Sequence, residues 1–182
     1  MNRTVLVRYG EITLKSEPVR GEFKKILIDN IKSILEGIPL EIETERGRIF
    51  VKTPRPEEVS SRLSRVPGIV SSSPTRRTDA SMDEICRLAT EIFEENFPAE
   101  GSFAVRARRV GSHEFSSKDV EEKIGEEILK ENPGMSVDLD SPDHEIHVEI
   151  RGDDAYIFTK IVEGIGGLPV GSQGRVITLF SG

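Results

Sequence analysis

The chain has 182 residues, 36% hydrophobic and 31% charged, which suits one medium domain or two small ones in a soluble, globular protein. No apolar run approaches the roughly 18 residues of a membrane span, and Met1-Asn2-Arg3 leads straight into a strand-like run without a signal-peptide core, so the cytoplasm is expected. The single cysteine excludes an internal disulfide framework and a cysteine-built zinc site, and a net charge of −7 argues against a generic nucleic-acid binder.

In chain order, residues 4–9 read as a strand closed by Gly10, and 11–15 as a loop with two apolar anchors. Pro18 suits a first helical turn, and Val19, Phe23, Leu27, Ile31 and Ile34 trace an apolar stripe closed by Gly37. Residues 40–45 and 48–52 alternate on either side of Arg46-Gly47, a hairpin pattern. Pro56 opens a short helix through Val59 and Leu63, and Pro67-Gly68 stops it. Residues 69–73 read as a last strand, with Pro74 demoting its far end to an edge. The order βαββαβ is the ferredoxin-like arrangement, assigned to residues 1–77.

A second, mixed domain is expected over 78–163. Residues 78–81 form a short connection, Ser81 and Glu84 make a capping-box pattern, and Ile85, Leu88, Ala89, Ile92 and Phe93 bury one face of a helix stopped by Pro98. Strand 102–109 follows, with Phe103, Val105 and Ala107 on one face and Arg106 and Arg108 on the other. Gly111 and Ser112 break it, Ser116 and Ser117 can cap, and Val120, Ile124 and Ile128 mark a helix over about 117–131. Residues 135–139, 145–151 and 155–162 read as three more strands. Residues 164–174 are expected as a flexible linker, and 175–180 as an apolar strand that either pairs with an edge here or begins a further domain. The fold class is α+β.

Charge is distributed unevenly. Residues 1–78 carry +5 and residues 79–182 carry −12, yet Arg106, Arg108 and Arg109 gather beside a capped helix start. A basic cleft on an acidic body still focuses a polyanion, and free N–H groups at a helix start suit phosphate. Arg106 and Arg108 share one face, which favours phosphate contact over pairing with nearby Glu and Asp. Arg109 has the parity of Phe103, and the two roles stand equal for it. His113 in the turn, Lys118 in the first helical turn, and Lys160 and Arg151 on the last strands are weaker candidates, as are Arg8, Lys15, Arg20, Lys24 and Lys25 for a second basic surface. His144 and His147 alternate with acids, where a metal site would need further ligands of compatible geometry, so both read as structural or exposed, and Cys86 reads as a small buried hydrophobe. Aromatic content is 5% with no tryptophan, so shape and phosphate recognition is expected over base stacking.

Several stretches then match a known family. Arg8-Tyr-Gly-Glu-Ile-Thr-Leu-Lys-Ser16 with Arg20 and Phe23, and Val66-Pro-Gly-Ile69, resemble the tRNA 4-thiouridine synthetases, tRNA sulfurtransferases also used in thiamine biosynthesis. Phe103–Arg109, Ser116–Asp119 and the 137–150 strands resemble a THUMP domain. Gly166–Gly174 with Val176–Gly182 is similar to the entry into a PP-loop domain, of whose S-G-G-x-D-S motif Ser181 and Gly182 would be the start of the cofactor-binding loop. The resemblance implies a ferredoxin-like domain plus THUMP that hold the acceptor 3′ end of tRNA. A PP-loop domain, in cis or on a separate chain, would then thiolate uridine 8 with ATP and Mg2+. A cysteine desulfurase-type sulfur donor is implied for the full system, and a homodimer is compatible with it. These 182 residues hold neither that domain nor its sulfur-carrying cysteines, so no catalytic residue and no cofactor is assigned to them. The alternative is a protein-interaction or regulatory module that recruits a separate PP-loop partner, and a stand-alone enzyme ranks last because no nucleophile and base are paired.

Overall fold

Val5, Leu6, Val7 and Tyr9 are buried in the first strand, β1 (Arg3–Tyr9), of a computed structural model that describes residues 3–14, 16–45 and 47–174. A 3-10 turn over Glu11–Leu14 follows, with Ile12 fully buried. Helix α1 (Glu17–Ile34) carries Pro18 in its first turn, where a missing N–H costs nothing, and buries Phe23, Leu27 and Ile31 at four-residue spacing. β2 (Glu41–Glu45) and β3 (Arg48–Lys52) pair antiparallel from Glu41 opposite Lys52 to Glu45 opposite Arg48. β2 is the sheet edge, and Glu41, Glu43 and Glu45 on it discourage pairing with another chain. Helix α2 (Pro56–Leu63) and β4 (Ile69–Asp79) complete the set, and the strand order β2-β3-β1-β4 is the ferredoxin-like one expected. Val59 and Leu63 of α2 join Leu27 and Ile31 of α1 over Val5, Val7, Ile49 and Val51 in one apolar core.

The described residues divide into two units, one of residues 5–72 with 162–174, the other of residues 73–161 with 3 and 4. β4 thus gives 69–72 to the first and 73–79 to the second. It runs well past Ser73, where the strand was expected to end with Pro74 marking an edge. The proline lies between the Ser71–Ser72 and Arg76–Asp79 pairings of β4, where its missing N–H removes none of those ladder bonds.

In the second unit, α3 (Met82–Asn96) starts with the Glu84 N–H donating to Ser81 Oγ. β5 (Glu100–Val110) leads through a turn into α4 (Ser117–Glu131), whose capping box is complete: Asp119 N–H donates to Ser116 Oγ, and Ser116 N–H to the Asp119 carboxylate. β6 (Gly134–Val137), β7 (His144–Arg151) and β8 (Asp154–Phe158) follow. The sheet order is β4-β8-β7-β5-β6, with β5 parallel to both neighbours and β7–β8–β4 antiparallel. α3 and α4 bury one face of it, where Ile85, Phe93, Val120 and Ile124 meet Phe103, Val105, Ile146 and Val148.

The strand expected over 155–162 is two strands. β8 ends at Phe158, and after Thr159 and Lys160 interrupt the apolar run, β9 (Val162–Glu163) pairs antiparallel with Ser71 and Ser72 of β4. The glycine-rich stretch expected as a flexible linker carries on from β9 against the first unit. Gly164 N–H donates to Val70 O at 2.7 Å, Gly166 N–H to Ile69 O at 2.8 Å, and Asn30 Nδ2 to Val170 O at 3.0 Å. A Cβ on Gly164 would stand 2.3 Å from the Ile69 carbonyl oxygen, so this glycine is there for close backbone approach. The expected strand 175–180, and Ser181 and Gly182, lie outside the described residues.

Candidate nucleic-acid interface

Parity decides what the face of the second sheet opposite α3 and α4 carries. Residue pairs in register place Ala104, Arg106, Arg108 and Val110 of β5 beside Glu145, His147, Glu149 and Arg151 of β7. β8 adds Asp154, Tyr156 and Phe158, and β4 adds Arg77 and Asp79. One row across four strands therefore reads Arg77, Tyr156, Glu149, Arg108, and the next reads Phe158, His147, Arg106.

This face holds four arginines and four carboxylates, and three of the arginines are paired. Arg151 Nε donates to Glu149 Oε1 at 2.6 Å, and both side chains are about 95% buried, with exposures of 5% and 4%. Arg77 Nε meets Asp154 Oδ1 at 2.7 Å. Arg106 Nε meets Glu145 Oε1 at 3.0 Å, while its Nη2 donates to the Leu139 carbonyl at 2.7 Å. Glu145 also faces His147 Nε2 at 3.5 Å, and the His147 ring stacks on Phe158 with centroids 5.0 Å apart. The Arg108 side chain is exposed and, among the described residues, forms no hydrogen bond or ion pair. Of the two arginines singled out by strand parity, Arg106 is committed to the protein and Arg108 is available to a ligand.

Arg109 lies on the helix side, in register with Ile150, as its parity with Phe103 implied. Its Nη1 donates to Gly111 O at 3.1 Å, and its Nε is enclosed without a partner. Its charge also adds to the attraction at Asp119, whose carboxyl the Ser116 N–H and hydroxyl already hold below the ordinary range. The turn between strand and helix is stapled to the β7–β8 hairpin by His113, whose Nε2 stands 2.7 Å from Gly152 O. A carbonyl only accepts, so Nε2 is the donor, and the enclosed Nδ1 has no hydrogen-bond partner. His113 also packs its ring 5.5 Å from that of Phe115. It therefore shapes the turn. Lys118 projects from the first turn of α4 and pairs loosely with Glu122 at 3.3 Å, with both side chains largely exposed. Lys160 is exposed beyond β8.

The first unit offers a more mixed surface. Arg8 is half-buried in β1, and Arg20 Nη1 pairs with Glu17 at 3.2 Å. A groove of about 530 Å³ brings Arg20 and Lys24 together with Glu17 and Glu45. Lys15 lies outside the described residues. Arg77 is the residue that sequence reasoning missed: a strand ended at 73 leaves it in a connection, and only continuing the alternation through Pro74 would have put it opposite Tyr156.

No group of His, Cys, Asp and Glu able to hold a metal occurs among the described residues. His144 instead stacks on Phe97 at 4.6 Å. Cys86 is buried against the core, and burial pushes its thiol up to about 11, which leaves almost no thiolate at neutral pH. No helix among the described residues is long and apolar enough to cross a membrane.

The geometry has parallels in known proteins. The ThiI ferredoxin-like domain family matches residues 4–73, and the THUMP domain family matches residues 79–160. A probable tRNA sulfurtransferase of Thermococcus kodakarensis is 40% identical over all of this chain and 50% of its own length. The crystal structure of PH1313 from Pyrococcus horikoshii superposes with a TM-score of 0.84 at 41% identity, covering 93% of this chain and 58% of that one. A 4-thiouridine synthetase crystallised with RNA and ATP gives a TM-score of 0.78 at 28% identity, over 94% of this chain and 44% of that one. The chain spans about half the length of the curated relatives it matches.

Proposed function

We propose that this chain, which belongs to the ThiI ferredoxin-like and THUMP domain families through residues 4–73 and 79–160, is a tRNA-binding module. Its task in this reading is to hold the acceptor 3′ end of tRNA while a PP-loop domain converts uridine 8 to 4-thiouridine. ATP, Mg2+ and the sulfur donor act at that domain, and none is assigned to the described residues. The likeness to a 4-thiouridine synthetase solved with RNA and to probable tRNA sulfurtransferases supports the substrate class.

The observation that carries the reading is the state of Arg108. An exposed guanidinium beside a row of neutralised arginines is free to meet a phosphate without first breaking a bond to the protein. Arg106 acts one step behind it. By holding the Leu139 carbonyl and Glu145 it shapes the loop after β6 beside the RNA-facing surface. Recognition then runs through charge and shape, with little base stacking, in keeping with the low aromatic content.

The test is a binding titration with intact tRNA and with tRNA lacking its 3′ CCA, each at two salt concentrations. Tighter binding of intact tRNA is expected, with affinity falling as salt rises. Equal binding of the two would remove the acceptor-end role and leave a general basic surface. Binding of neither would overturn the module reading for this chain.

A further inference from the structure

β5 is longer than its neighbour. Its pairing with β6 ends at Phe103 opposite Val137, while β5 continues to Val110. Backbone groups on the β6 side belong to every second residue from Phe103: its carbonyl accepts from Asp138 N–H at 3.0 Å, and Ala107 N–H donates to the Glu121 carboxylate at 2.8 Å. Val105 and Arg109 share that orientation. Among the described residues no strand pairs with this edge beyond Phe103.

Beside the edge lies a groove of about 350 Å³ between β5 and α4. Its floor and walls are Phe103, Val105, Leu129, Val137 and Leu139, and of these Val137 is 50% and Leu139 62% exposed. Its rim is acidic: Glu121, Glu122 and Glu126 stand against one lysine, Lys118, which is itself paired with Glu122. An open strand edge of this kind is normally blunted by charge or cover, and here one carboxylate does so at a single amide.

We propose that this groove receives an extended segment of a partner protein in which apolar residues alternate with basic ones. The segment adds a strand to β5 beyond Phe103, as in strand-addition complexes. Its apolar side chains enter against Leu129, Val137 and Leu139, and its lysines or arginines face the glutamates of the rim. The same glutamates disfavour phosphate, so nucleic acid is the wrong occupant for this groove. The site lies on the α4 side of β5, opposite the face that carries Arg108. It stands independently of the tRNA reading.

The experiment uses the 182-residue chain, 15N-labelled, titrated with a capped octapeptide of alternating lysine and valine. Expected are shifts of the Val105, Ala107 and Arg109 amides and of residues lining the groove. Leu139→Asp, on an exposed side chain, is expected to weaken binding about tenfold, the scale of losing one apolar anchor. Reversing the rim with Glu122→Lys and Glu126→Lys should have a similar effect, and an alternating glutamate–valine peptide should bind at least that much more weakly. The proposal is overturned by the absence of binding, by equal binding of the two peptides, or by shifts that fall elsewhere. It is equally overturned if tRNA displaces the peptide, which would make the groove a nucleic-acid site. Sedimentation showing a dimer that Leu139→Asp dissolves would assign the edge to a second copy of the chain.

Discussion

The two faces of the second unit's sheet are built on opposite principles. Under α3 and α4, Phe103, Val105, Ile146, Val148 and Ile157 fill an apolar layer that needs no partner beyond shape. On the other face these strands and β4 carry Arg77, Arg106, Arg108 and Arg151 against Asp79, Glu145, Glu149 and Asp154. The first face supplies stability through area removed from water. The second gains little net stability, since desolvation offsets most of the attraction between buried charges, but it holds Arg77, Arg106 and Arg151 in place through their carboxylate partners. Pairing consumes three of its four arginines and leaves Arg108 for a ligand.

Truncation of the apolar layer should do the most damage. Phe103→Ala removes a fully buried ring that meets Phe93 edge-on at 5.2 Å, and a loss of about 3–5 kcal/mol is expected in denaturant unfolding. Glu149→Ala is expected to cost nearly as much, about 3 kcal/mol, by removing the carboxylate that meets the buried Arg151 guanidinium at 2.6 Å. A loss under 1 kcal/mol would mean that water reaches this pair and that the charged face is not the rigid platform described. In the first unit Gly164→Ala would drive a methyl group into the Ile69 carbonyl, and a cost of about 1–3 kcal/mol is expected.

Acid should act on the loop between β6 and β7. The Ser102 hydroxyl and N–H hold the Asp143 carboxyl below its usual value, and backbone N–H groups of Ser141 and Asp140 do the same for Asp138. A carboxylate with a depressed folded pKa contributes stability that is complete above its unfolded value of about 3.9 and is lost as pH falls through the lower folded value. Asp143→Asn should therefore flatten the decline of Tm below about pH 4 while leaving the neutral range nearly level. A decline as steep as in the parent protein would show that Asp143 contributes nothing to it.

How much of this was legible in advance depended on how local the cause was. The parity of β5 was readable because Phe103, Val105 and Ala107 alternate with Arg106 and Arg108 within one strand. Both capped helices were readable for the same reason: Ser81 with Glu84 and Ser116 with Asp119 are contacts over three residues. Which arginine is spent was not readable. Arg106 meets Glu145 across 39 positions, and only the parallel register of β5 on β7 sets that pairing. Two local rules misled in instructive ways. Pro74 interrupts a strand only where its N–H would be used, and the pairings of β4 with β8 and β9 leave a gap there. The glycines after 163 suggested flexibility, whereas Gly164 serves to let two backbones touch.

The most direct test of the account sets Arg106 against Arg108 in tRNA binding. For the parent chain, Arg108→Ala and Arg106→Ala, affinity is measured over a series of salt concentrations alongside unfolding stability. Arg108→Ala is expected to lower affinity and to reduce the slope of log K against log salt by about one, with unchanged stability. Arg106→Ala is expected to cost about 1 kcal/mol of stability through the lost Glu145 and Leu139 bonds, with a nearly unchanged slope. If the slope falls for Arg106→Ala and stays for Arg108→Ala, the division of this face into spent and available arginines is wrong.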